Sequence, residues 1–100
     1  MRIFVDVHGT LRVNDEPNEP LISLLTKLSK ENTIVVWSGG GQRYARTWAD
    51  ILLPGVDTVA ISKSTWPDWR CDDVFIDDQE VFMLGKNVAV TADEFVARYE

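Results

Sequence analysis

Apolar side chains along this chain follow two patterns, short unbroken runs and longer stretches with helical spacing. The first run, Arg2 to Val7 (RIFVDV), is rich in β-branched residues and reads as a buried strand. That strand ends at Asp6, and His8, Gly9 and Thr10 turn the backbone sharply. Residues 9–19 are polar and turn-rich, with Leu11 and Val13 alternating with Arg12 and Asn14, the pattern of a short hairpin-like flap too small to be a cap domain. Asn18 or Glu19 is placed to cap a helix over 20–30, with Pro20 in its first turn and Leu21, Leu24, Leu25 and Leu28 on one face. Lys27 and Lys30 complement the dipole at its end.

Thr33 to Trp37 is a second buried strand, ending at Ser38. Gly39-Gly40-Gly41 then open a helix over 42–52, with Tyr44, Ala45, Trp48, Ala49 and Leu52 on one face and Pro54-Gly55 as its stop. Val59 to Ile61 reads as a short third strand leading into Ser62-Lys63, and residues 64–71 (STWPDWRC) read as loop. Val74 to Ile76 is a fourth strand ended by Asp77-Asp78. Val81, Phe82 and Leu84 suggest a helical turn before Gly85, and Val88 to Val90 a fifth strand. Thr91 with Glu94 is a capping-box signature for a last helix bearing Phe95, Val96 and Tyr99. Strand–helix alternation without repeats or linkers predicts one α/β sandwich over residues 1–100 with right-handed crossovers.

Composition narrows the field. One hundred residues, 45% of them hydrophobic, fit one globular domain with a modest core. Sixteen acidic against ten basic side chains give a net charge of −6, which disfavours non-specific nucleic-acid binding but permits a nucleotide held at one local site. Cys71 is the single cysteine, so neither an intrachain disulfide nor a Cys-rich zinc site can form. The first apolar run is short and interrupted by Asp6, unlike a signal core, and no segment approaches the ~20 apolar residues of a membrane span. The expectation is a soluble, cytoplasmic protein with no membrane contact.

The candidate chemistry lies at the strand ends. In a parallel sheet Asp6, Ser38, Lys63 and Asp77-Asp78 would all reach one rim, where open α/β sheets bind ligands. Three carboxylates there repel one another unless a cation sits between them, and oxygen donors without Cys or several His suit a hard ion such as Mg²⁺. Ser38 and the amides of Gly39 and Gly40 at a helix start can receive phosphate oxygens. Lys63 adds positive charge to the same place. Arg43, in the same helix, is a further candidate phosphate contact, weighed against a plain surface charge; Trp66 and Trp69 read as packing rather than as a stacking platform. The set suits phosphoryl transfer.

These residues resemble the motifs of the haloacid dehalogenase superfamily of phosphohydrolases, most of all its small capless phage and bacterial members, over nearly the whole chain. Asp6-Val7-His8-Gly9-Thr10 is similar to the first motif, DxDGT; Ser38 matches the second, Lys63 is placed like the basic residue of the third, and Asp77-Asp78 in VFIDD match the acidic fourth. The resemblance implies a three-layer Rossmann-like sandwich with a mainly parallel five-stranded sheet, order 5-4-1-2-3, and no cap domain. It implies Asp6 as a nucleophile forming an aspartyl-phosphate and binding Mg²⁺, with the main-chain carbonyl of His8, Asp77 and Asp78 as further metal ligands. Ser38 and Lys63 would hold the phosphoryl group, while Gly9 and Thr10 shape the turn. One departure stands out: His8 occupies the place of the family's second Asp, which protonates the leaving alcohol and then activates water. Loss of a general acid typically costs roughly 10²–10⁴-fold in rate, but histidine, with a reference pKa of about 6.5, can move protons near neutrality.

The function this predicts is a Mg²⁺-dependent phosphatase for a small or accessible phosphomonoester, whether a metabolite, a nucleotide or a phosphorylated nucleic-acid end. The alternative is a weakened metal- and phosphate-binding module that lost its acid at His8. A receiver-type signalling domain also combines acids, Ser/Thr and lysine. Its lysine follows the last acidic strand, however, whereas Lys63 precedes Asp77-Asp78.

Overall fold

A computed structural model describes residues 1–64, 70, 72–78 and 89–100. In chain order the elements are β1 (Arg2–Asp6), β2 (Arg12–Val13), β3 (Glu16–Pro17), α1 (Glu19–Leu28), β4 (Thr33–Ser38), α2 (Gln42–Leu52), β5 (Thr58–Ser62), β6 (Val74–Ile76) and α3 (Ala92–Tyr99). The apolar runs pair as parallel strands in the order β5-β4-β1-β6, so β1 lies inside the sheet with β4 and β6 as neighbours. Val90 adds a parallel bridge to Ile76, its amide donating to the Phe75 carbonyl at 2.9 Å and its carbonyl accepting from the Asp77 amide at 3.0 Å. Among the described residues the sheet therefore has four strands. The fifth strand expected at Val88–Val90 is represented by that bridge alone, and Val88, the turn expected at 81–84, Trp66 and Trp69 lie outside the described residues.

Alternation along the strands divides the interior in two. Ile3, Val5, Ile34, Val36, Ala60 and Ile76 join Leu21, Leu24 and Leu25 of α1, Ala45, Ala49 and Leu52 of α2 and Phe95 of α3 in one core. Right-handed crossovers from β1 to β4 and from β4 to β5 run in one direction, which puts α1 and α2 on the same face. The other face carries Phe4, Val35, Trp37 and Phe75, with Phe4 directly opposite Val35 and Phe75 in the two registers. This is a parallel α/β fold of Rossmann-like kind. The described residues give a sheet with helices on one face, and the second helical layer of the expected sandwich is not seen among them. No helix among the described residues is long and apolar enough to cross a membrane.

Local chemistry corrects one expectation and bears out two others. Asn18 occupies the N-cap of α1 but makes no side-chain cap; its Nδ2 donates to the Thr10 carbonyl at 3.0 Å and ties the helix start to the first turn of the chain. The flap is a β2–β3 hairpin whose Asn14 and Asp15 both adopt positive φ, +53° and +62°, the conformation a two-residue turn needs for right-twisted strands. Thr91 does cap α3, accepting from the Glu94 amide at 3.2 Å.

The edges are also held. The Lys63 amide donates to the Ser38 carbonyl at 2.9 Å, so odd-numbered positions of β5 turn toward β4 and even-numbered ones turn outward. The outward carbonyls of Thr58 and Ala60 accept from Arg46 Nη1 at 2.9 Å and Gln42 Nε2 at 3.2 Å, both on α2. At the opposite side of the sheet, Arg2 clamps the fully buried Asp73 carboxylate with two bonds, Nε to Oδ1 at 2.8 Å and Nη2 to Oδ2 at 2.6 Å. The Arg70 amide donates to the same carboxylate at 2.8 Å. Removing one partner of such a pair strands the other charge. Asp73→Ala is expected to lower stability by about 3 kcal/mol, read as a lower urea midpoint at unchanged slope.

Candidate metal and phosphate site

The site grows from the way the chain leaves β1. The Val7 carbonyl accepts from the amides of Thr10 at 3.3 Å and Arg12 at 3.0 Å, and the Gly9 amide donates to the Arg12 carbonyl at 2.7 Å. This tight turn requires φ of +84° at Gly9, and a Cβ there would run into the Asp78 carboxylate. Gly9 thus lets the loop after β1 pass directly over the end of β6. Thr10 is fully buried within the turn and its Oγ1 has no hydrogen-bond partner among the described residues.

Because β1 and β6 are adjacent and parallel, Asp6 and Asp77 emerge side by side at their carboxyl ends. They are buried, 6% and 2% exposed, while Asp78 is exposed. The carboxylate oxygens of Asp6, Asp77 and Asp78 lie within 4.8 Å of one another. Lys63, delivered by the end of β5, places Nζ 3.1 Å from Asp6 Oδ1 and 2.6 Å from Asp77 Oδ2. Lys63 thus bridges Asp6 and Asp77 beside Asp78. An all-oxygen donor set of three carboxylates fits a hard divalent cation.

The electrostatic strain falls on Asp6. Burial first, and then the charge of Asp77, push its pKa from the ordinary 3.8 up to about 6, with Asp78 adding a little and Lys63 opposing. For Lys63 burial works against the charged form, but its hydrogen bond to Asp77 and the charge of Asp6 outweigh that and raise its pKa.

Beside the acids, β4 ends at Ser38 and the glycine loop begins. Ser38 is buried and its Oγ accepts from the Gly40 amide at 3.0 Å. That amide is therefore turned onto the serine in this state, leaving the hydroxyl proton free to donate to a ligand. Gly41 carries φ of +104° as it enters α2. An open pocket of about 330 Å³ results, lined by Asp6, Asp78, Lys63 and Ser38 with His8, Gly39, Gly40 and Tyr44. Asp77 stands behind this wall.

The structure thus brings together Asp6, His8, Ser38, Gly39, Gly40, Lys63, Asp77 and Asp78, and does not bring Arg43 to them. Arg43 lines a separate, larger groove of about 590 Å³ between α2 and β5, together with Arg46 and without a carboxylate. Helical geometry explains this, since residue 43 is rotated about 100° from residue 44, and it is Tyr44 that turns to the pocket. Tyr44 reads in the sequence as a core-face residue of α2. Its place four residues after Gly40, one turn into the helix, is the signal that it borders the loop.

Comparison of the chain with family models, with curated proteins and with solved structures finds no match.

The Asp6 shift has a definite sign. A folded pKa of about 6 against 3.8 means the native state keeps this proton longer than the unfolded chain. The Asp6 contribution is therefore intact below pH 4 and is lost as pH rises through 6, by at most about 3 kcal/mol. Without metal, Asp6→Asn is expected to match or exceed wild-type stability at pH 7.5, with the difference vanishing near pH 4. Urea midpoints at the two pH values measure it. Millimolar Mg²⁺ should raise the wild-type melting temperature and leave that of Asp6→Asn nearly unchanged.

Proposed function

We propose that this protein is a Mg²⁺-dependent phosphatase of the haloacid dehalogenase kind, acting on a small or accessible phosphomonoester through an aspartyl-phosphate. The observation that carries the reading is the convergence of Asp6, Asp77, Asp78 and Lys63 with Ser38 and the glycine loop around one open pocket. The order of these groups along the chain supports it as well.

Asp6 lies at the pocket floor and carries the nucleophilic oxygen. Its carboxylate attacks phosphorus as the bond to the leaving oxygen breaks, giving an aspartyl-phosphate and a freed alcohol. His8, exposed at the pocket mouth, is the group available to protonate that alcohol. Water then attacks the phosphorus, His8 takes its proton, and the Asp6 carboxylate leaves with phosphate released. Lys63 and the Ser38 hydroxyl hold the phosphoryl oxygens. A Mg²⁺ ion held by Asp6, Asp77, Asp78 and the His8 carbonyl would supply positive charge against the transferring group. The open pocket admits a nucleotide or a phosphorylated nucleic-acid end as readily as a small metabolite.

The replacement of the family's acid by His8 favours one second reading, a metal- and phosphate-binding module without turnover. Hydrolysis of an aryl phosphate with Mg²⁺ separates the two. Turnover abolished by Asp6→Asn is expected; metal and phosphate binding without any turnover would leave the binding module instead. His8→Ala should slow alkyl phosphates by roughly 10²–10⁴-fold and nitrophenyl phosphate much less, because a good leaving group needs little protonation. Identical pH–rate profiles for wild type and His8→Ala on both substrates would remove His8 from the mechanism.

A further inference from the structure

Tyr44 packs against the hydrophobic core and borders the pocket at the same time. Its ring lies against Gly40 so closely that a Cβ at residue 40 would sit 3.1 Å from two ring atoms, Cγ and Cδ1. Its other neighbour is Trp48, one turn along α2, in an edge-to-face contact with centroids 6.3 Å apart at 62°. Trp48 is in turn covered by the Arg12 guanidinium, 3.9 Å from the ring centroid. Arg12 belongs to the flap, and its backbone is bonded to Val7 and Gly9 in the turn that follows the proposed nucleophile. A continuous brace therefore runs from that turn through Arg12 and Trp48 to Tyr44. It ends at a half-buried ring that lines the acidic pocket and whose hydroxyl makes no hydrogen bond among the described residues.

A ring held from several sides has little freedom left to lose when a ligand packs on it. We propose that Tyr44 is a specificity-determining wall of this pocket, selecting phosphomonoesters whose phosphate is carried on a planar aromatic group. The proposal rests on the phosphate-site reading of Ser38 and Lys63, and adds to it what the rest of the substrate must look like. Phosphate and metal contacts are common to every monoester, so they supply no choice among leaving groups. Tyr44 supplies one, because ring-on-ring contact favours a flat partner over a saturated one of similar size.

Phosphonates, whose C–P bond is not hydrolysed, test this without turnover. Calorimetry on the Mg²⁺-loaded protein would compare phenylphosphonate, cyclohexylphosphonate and inorganic phosphate. Wild type is expected to prefer phenyl over cyclohexyl by roughly three- to tenfold. Tyr44→Phe should keep that ratio and Tyr44→Leu should bring it near one, while both retain affinity for inorganic phosphate. Equal binding of the two phosphonates by wild type, or an unchanged ratio in Tyr44→Leu, overturns the wall and leaves the phosphate site standing. Absence of binding for all three ligands removes the phosphate site, and the wall with it.

Discussion

Asp6 and Asp77 are buried side by side and share the ammonium of Lys63. Everything at the carboxyl rim follows from that arrangement. The two acids cannot separate, because the parallel pairing of β1 and β6 fixes their spacing and the apolar residues beneath them leave no polar alternative. Asp78 brings a third carboxylate to the same point. Near the amino end of the same two strands an acid meets a base. Arg2 and Asp73 are joined there by two bonds. One end of the strand pair joins an acid to a base, and the other gathers three carboxylates that could hold a metal ion.

Much of this was legible in the sequence because buried parallel strands announce themselves as unbroken apolar runs, and the residue that ends each run is then placed by topology. That logic places Asp6, Ser38, Lys63 and Asp77-Asp78 at one rim from the sequence alone. It worked less well where side chains decide. Asn18 has the chemistry of a cap, yet its amide reaches back to Thr10, a contact set by the turn and not by the helix. Arg43 and Tyr44 are adjacent in sequence, and only the angular position of each on α2 sends one to the outer groove and the other to the pocket. The Arg2–Asp73 clamp spans 71 positions and the Arg12–Trp48 contact joins a flap to a helix. No local pattern encodes either.

The flap contributes to the site in a way its size conceals. Strands of two residues have almost no stability of their own, so the hairpin depends on what it touches. It is fastened at its base by the turn after β1 and on its flank by Trp48, which ties it to the surroundings of Asp6 and the glycine loop.

The bonds from α2 to β5 have a consequence of another kind. A strand at the border of a sheet offers its outward carbonyls and amides to any passing extended chain, and addition of that chain extends the sheet. Here the outward carbonyls of Thr58 and Ala60 are already occupied by Arg46 and Gln42. The same two side chains that fasten the helix therefore deny a template to a foreign strand. Losing them would free those acceptors beside the β-branched Ile61 and Val59, the second already exposed, which is the starting condition for self-assembly through sheet borders.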